Sequence, residues 1–177
     1  HRSHQFESVL ERLREKKVEL SFVLINMAGS PFEEFLKRQH WTVSHITYSG
    51  IRHMLKALSK CFHHFRVNNT KVVHCHLLKA NFIGLLAAKL YGTKKRIYTR
   101  HHSTFHHIYS KKGVWLDRFI NGLATDIVSI SPGVSRVLTE RESVQPTKVH
   151  LIPHGFDFND LKRFSPFTLN NQRPTIG

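Results

Sequence analysis

Short apolar runs alternate with amphipathic stretches of roughly ten to fifteen residues along most of this chain, and nothing else in the sequence restricts its fold so tightly. The cleanest units run "KVVHCH", "KANFIGLLAAKLYG" closed by Gly92, "KRIYTR", "GVWLDRFINGLA", "DIVSIS", "PGVSRVLTERES" opened by Pro132, and "KVHLIP". Neighbouring parallel strands can be joined only by a crossover, which is usually a helix, whereas antiparallel strands need just a hairpin. The alternation therefore predicts an α/β fold, a doubly wound, mostly parallel open sheet with helices on both faces.

The first seventy residues follow the same layout less sharply. "SHQFESVLERLREKK" sets Phe6, Val9, Leu10 and Leu13 at helical spacing, and "VELSFVLIN" reads as a buried strand. "SPFEEFLKRQ" carries helix-start chemistry, with Ser30 as cap, Pro31 in the first turn and acids after it. "WTVSHITY" is a strand, and "IRHMLKALSKCFHHFRVN" a helix with Met54, Leu55, Leu58, Phe62 and Phe65 expected on its inner face. The chain opens on a helix where folds of this type open on a strand, and it stops at "PTIG", where a strand could begin. It reads as a piece of something longer.

With 177 residues the chain suits one domain, placed at residues 1–165, followed by a linker over 166–177. No apolar run reaches the roughly 20 residues of a membrane span, and no signal peptide is visible, so a cytoplasmic setting is expected. Two cysteines, Cys61 and Cys75, form neither a disulfide framework nor a CxxC zinc spacing. The formal charge of +15, from 27 Lys and Arg against 12 Asp and Glu, would draw nucleic acid, anionic lipid or a phosphorylated substrate.

In an open parallel sheet, ligands bind beyond the carboxyl ends of the strands, where loops diverge and helix N-termini point inward. Those ends carry His76, then Arg100, His101 and His102, then Ser131, then His154, Gly155 and Asp157. Polar, titratable groups thus collect along one edge.

Spacing bears on the metal and nucleophile alternatives. His74 and His76 share one side of a strand, and His102 and His106 stand four apart as zinc-binding pairs do, but no HExxH or neighbouring acid completes a ligand set, so no metal site is expected. Neither a GxSxG elbow nor a GxGxxG or GxxxxGK[ST] loop is present, and Ser129, Ser131 and Ser135 suit strand-end and cap positions. His63 and His64 read as surface or half-buried helix residues, and His106 and His107 as loop residues either functional or solvating. The aromatics Phe105, Tyr109, Trp115 and Phe119 are expected to pack a loop onto the domain.

Over residues 71–157 these strand ends resemble the N-terminal half of a GT-B glycosyltransferase of the group 1, or family 4, type. The family's usual forms are a D-V-V-H-x-H strand end, a T-x-H strand end, an A-D-x-I-V-A-V-S strand and V-x-V-I-P-N-G-V-D. The resemblance implies a Rossmann-like acceptor domain facing a second, donor-binding domain. It implies retaining transfer from a nucleotide-sugar, which is a substrate and not a bound cofactor. His101 takes the place of the family's strand-end histidine beside the transferred sugar, the one catalytic assignment. His76, Arg100, His102, Ser131, His154, Gly155 and Asp157 are then expected to bind substrate, with His154 and Phe156 departing from the common pattern. The implied partners are a nucleotide-sugar and a carbohydrate or lipid-linked acceptor, without nucleic acid. The basic excess suggests peripheral contact with an anionic membrane, where each Lys or Arg is worth about 1 kcal/mol. A basic binding module without catalysis is the alternative, and a metal-dependent hydrolase a weaker one.

Overall fold

The structure is a computed structural model that describes residues 4–153 and Gly155. His154, Asp157 and the 166–177 linker lie outside the described residues.

Helices and strands alternate as α1 (His4–Glu15), β1 (Ser21–Ile25), α2 (Pro31–Arg38), β2 (Thr42–Ile46), α3 (Met54–Val67), β3 (Val72–His76), α4 (Leu78–Tyr91), β4 (Lys95–Arg100), α5 (Phe105–Tyr109), α6 (Lys111–Leu123), β5 (Asp126–Ser129), α7 (Pro132–Arg136) and β6 (Val149–Leu151). The local signals act where the sequence puts them. Ser30 accepts from the Glu33 amide at the head of α2, Ser110 from Gly113 at the head of α6, and Ser131 from Val134 at the head of α7. Gly92 closes α4 in the left-handed region, at φ 89°.

Among the described residues every strand pairing is parallel. Hydrogen bonding divides the strands into a pair, β1–β2, and a four-stranded sheet in sequential order β3–β4–β5–β6. The expected single sheet is therefore two ladders, joined by side-chain packing. On β1 the alternation sends Leu24 into one core and Val23 and Ile25 into the other. Leu24 meets Leu10 of α1 and Phe35 and Leu36 of α2. Val23 and Ile25 lean on the larger core, which takes Ala57, Leu58, Cys61 and Phe65 from α3 and continues under β3–β6. Helices thus stand on both faces, and α3 bridges the two ladders.

Within the larger core, α4 lies close against β3. A Cβ on Gly84 would come within 2.6 Å of the Cys75 sulfur, so only glycine permits this approach. Tyr98, Ile83, Leu85 and Ile127 are fully buried there, each worth about 1.5–3 kcal/mol of burial.

Two helix faces differ from their sequence reading. Leu55 is 82 % exposed, and Ala57, Cys61 and His64 take the inner positions of α3. His64 is buried, bonded through its two ring nitrogens to Ser44 (2.8 Å) and Ser21 (2.9 Å), which makes it a polar rivet between α3 and the first ladder. Val9 likewise stays half exposed on α1. On α3 the smaller Ala57 and Cys61 and the hydrogen-bonded His64 win the interior.

Candidate active site

The carboxyl ends of β3 to β6 lie side by side, because the register pairs His76 with Thr99 and Arg100 with Ser129, and Ser129 with Leu151. The loops that leave them form one rim. The rings of His74 and His76 lie 4.4 Å apart, and that of His76 lies 5.9 Å from His101. His74 also shares a 2.9 Å hydrogen bond with the Thr99 hydroxyl. Desolvation, helped by the nearby His101, holds the His74 pKa below its ordinary value and favours the neutral ring. His101 is exposed at the mouth of this trio.

The turn out of β3 is held in a costly shape. Leu77 has φ 70° and ψ 153°, a region that residues other than glycine seldom enter and that costs about 1–3 kcal/mol. Buried Asn81 fastens it, its backbone amide donating to the Leu77 carbonyl at 2.8 Å and its side-chain amide, assigned with the nitrogen inward by its two acceptor neighbours, donating to the Cys75 and Leu77 carbonyls at 3.2 Å each. His76 is the residue immediately before this turn.

Beneath the His101 loop lies a buried polar network. The Arg100 guanidinium, expected at the substrate, turns inward: it donates to the Asp117 carboxylate (2.7 Å), the Glu142 carboxylate (2.8 Å) and the His102 carbonyl (3.0 Å). At 3 % exposure it cannot touch a ligand at the rim, and its role is to anchor the loop that carries His101. His106 bonds Asp117 at 2.7 Å, His107 bonds Glu142 at 3.1 Å, and Asn121 donates to Glu142 at 2.7 Å while accepting from the Tyr98 hydroxyl. Gly113 makes room for His106, since a Cβ there would press on its ring at 2.7 Å. Burial alone would raise the Asp117 pKa, but the Arg100 and His106 contacts outweigh it and hold the carboxyl below its usual range. His102 is half-buried on top of this network, its pKa lowered by desolvation and by the Arg100 charge.

The donor atoms of His102, His106 and Asp117 lie within 4.8 Å of one another. His102 Nε2 and Asp117 Oδ1 are buried without hydrogen-bond partners. A cation entering here would have to compete with Arg100, which already holds Asp117 Oδ2 and brings a permanent positive charge of its own. The arrangement is that of an ion-paired brace.

The remaining rim positions divide. Ser131 half faces solvent, with its hydroxyl engaged as the α7 cap. Gly155 is exposed beyond β6. Sequence reasoning missed Asp117 and Glu142, which position the site from inside α6 and from the turn after Arg141. The available signal was that Asp117 is the sole acid between residues 77 and 123.

A parallel α/β domain with a histidine-lined rim at its strand ends has the architecture of one half of a GT-B glycosyltransferase. Known structures of that kind superpose on it. A Rickettsia africae glycosyltransferase matches 92 % of this chain and 42 % of its own, at 15 % identity and TM-score 0.63. Anabaena Alr3699/HepE, solved with UDP and glucose, matches 88 % and 41 %, at 15 % identity and TM-score 0.64. Acinetobacter baumannii MurG matches 86 % and 41 %, at 12 % identity and TM-score 0.61.

The sequence profile of Glycosyltransferase Family 4 matches residues 5–160, and the chain belongs to that family. One curated relative, the UDP-Gal:alpha-D-GlcNAc-diphosphoundecaprenol alpha-1,3-galactosyltransferase of Escherichia coli, is 26 % identical over 117 residues. That match takes in 63 % of this chain and 29 % of the relative, so the chain spans well under half the length of the proteins it resembles.

Proposed function

We propose that this chain is the acceptor-side domain of a retaining glycosyltransferase, which moves a sugar from a nucleoside-diphosphate donor to a carbohydrate or lipid-linked acceptor. The observation that carries the reading is the placement of His101 at the mouth of the β3–β4 rim, beside His76 and above the Arg100 anchor, in a chain of this family. The E. coli relative uses a UDP-sugar and a diphosphoundecaprenol acceptor, and the Anabaena structure holds UDP, which supports this donor class.

Cleaving the bond between a sugar and a diphosphate develops positive charge on the sugar ring and negative charge on the leaving phosphate. Positioned hydrogen-bond groups in a water-poor cleft lower that barrier most when they are fixed before the reaction begins. His101 is assigned to hydrogen-bond the transferred sugar and steady its oxocarbenium-like state. Arg100 holds the His101 loop, and His76 and His102 flank it. The donor phosphate accepts the acceptor proton, so the reading requires no cofactor beyond the donor itself.

The test is a screen of UDP-, GDP- and dTDP-sugars with the intact protein, with His101→Ala as comparator. Transfer reduced about 10²- to 10³-fold in kcat, with the thermal melt unchanged, is expected. Full turnover by the His101→Ala variant would refute the assignment, and full turnover by residues 1–177 alone would refute the acceptor-half reading.

A further inference from the structure

The helices α4, α5 and α6 leave large apolar side chains bare. On α5, Phe105, Ile108 and Tyr109 are 56, 65 and 73 % exposed, and on α6 Trp115 and Phe119 are 74 and 48 % exposed. The expectation that these rings pack a loop onto the domain is not met. They do not stand apart from one another, however. Phe105 and Tyr109 meet ring to ring at 5.2 Å, and Phe119 meets Phe82 of α4 at 5.9 Å. Lys111, Trp115 and Phe119 follow at four-residue spacing along one stripe of α6. The surface also borders the candidate site, because the Phe105 ring lies 6.4 Å from that of His102.

The charge on this surface is one-sided. Residues 77–123 hold nine Lys and Arg against a single acid, Asp117, which is buried against Arg100. Lys79, Lys111, Lys112 and Arg118 are exposed beside the apolar side chains, and no acid of these three helices faces them at the surface. Lysine is depleted from the interiors of protein–protein interfaces, which disfavours a protein partner. Single-stranded nucleic acid would use the rings but would gain nothing from Ile108 or from the exposed Leu77. Tryptophan and tyrosine at headgroup depth, aliphatic and Phe side chains below them, and lysines among lipid phosphates form a combination that an anionic bilayer satisfies throughout.

We propose that the α4–α5–α6 surface docks on an anionic membrane, with Phe105, Ile108, Tyr109 and Trp115 entering the headgroup boundary and Lys79, Lys111, Lys112 and Arg118 pairing with lipid phosphates. Docked this way, the rim at His101 and His102 stands beside the lipid headgroups, where a lipid-linked acceptor would present its sugar. The binding claim is independent of the transfer reading, since it can be measured without turnover.

The experiment is co-sedimentation of the intact protein with phosphatidylcholine vesicles, with and without phosphatidylglycerol. Binding is expected to require phosphatidylglycerol and to weaken with added salt. Lys111→Gln combined with Lys112→Gln should weaken it about thirtyfold. Ile108→Ser combined with Trp115→Ser should abolish it while leaving the circular dichroism spectrum and thermal melt unchanged. The chain has two tryptophans, and Trp41 sits half-buried in the smaller core, so a blue shift of emission on vesicle addition that persists in Trp41→Phe reports insertion of Trp115. Equal binding to neutral vesicles, undiminished binding by either double variant, or binding of a single-stranded oligonucleotide in place of the vesicles would overturn the proposal.

Discussion

Arg100 and Asp117 pair at 2.7 Å with both side chains almost wholly out of water, 3 % and 1 % exposed, one at the end of β4 and the other inside α6. The pair ties a strand of the sheet to a helix and shares its cation with Glu142. Removing Asp117 leaves Arg100 with Glu142 alone, whereas removing Arg100 strands two buried carboxylates without their cation.

Arg100→Met should therefore cost about 3–5 kcal/mol, read as a drop in the urea midpoint at constant slope, and Asp117→Asn less, because Glu142 still holds the guanidinium. The intact pair also sets an acid limit. Because the folded Asp117 pKa lies below its ordinary 3.8, its contribution is complete above that value and drains away as pH falls through and below it. Stability measured down an acid series should lose this component in wild type and not in Asp117→Asn.

A second pH effect sits higher. Desolvation lowers the pKa of His64, His74 and His102 from the ordinary 6.5, so for all three the unfolded chain takes up protons more readily than the folded one. Their contribution is full above 6.5 and is lost as pH falls through that value toward the lower folded ones. The melting temperature should decline between about pH 7.5 and about pH 5.5. His64→Gln, which keeps a donor and an acceptor but does not titrate, should flatten part of that decline.

Gly84 and Gly122 offer a matched pair of helix substitutions. Alanine at Gly84 drives a Cβ against the buried Cys75 sulfur and should destabilise by about 1–3 kcal/mol. Alanine at Gly122 meets nothing within 4 Å and should stabilise by about 0.5–1 kcal/mol. Chemical denaturation of the two variants side by side decides whether α4 packs as closely as described.

Cys61 and Cys75 are buried, and burial pushes each thiol up to about 12. Neither should be alkylated by iodoacetamide at neutral pH while the protein is folded, and both should be modified in urea, as read by intact mass. Rapid labelling of either thiol in the native state would contradict the core packing around α3 and α4.

The parallel sheet was legible because strand and helix periods leave different marks, and because the crossover requirement turns that alternation into topology. The rim was legible for a related reason: in such a sheet, position along the strand already says which end faces a ligand. Orientation was not legible. Arg100 stands at a strand end as His101 does, yet its side chain goes inward, since its partners Asp117 and Glu142 lie 17 and 42 residues further on. No local pattern encodes that meeting. The division into two ladders escaped for the same reason, strand pairing being a long-range property. The aromatics of α5 and α6 were misread because helical spacing marks a stripe without saying what covers it.

The turn at Leu77 has a practical consequence for anyone improving this protein. Glycine relaxes that backbone at no steric cost, so a campaign that ranks variants by heat tolerance would favour Leu77→Gly early. The same exchange would unstiffen the peptide next to His76 and strip an apolar side chain from the border of the rim. Selection for robustness and selection for work would pull this one codon in opposite directions.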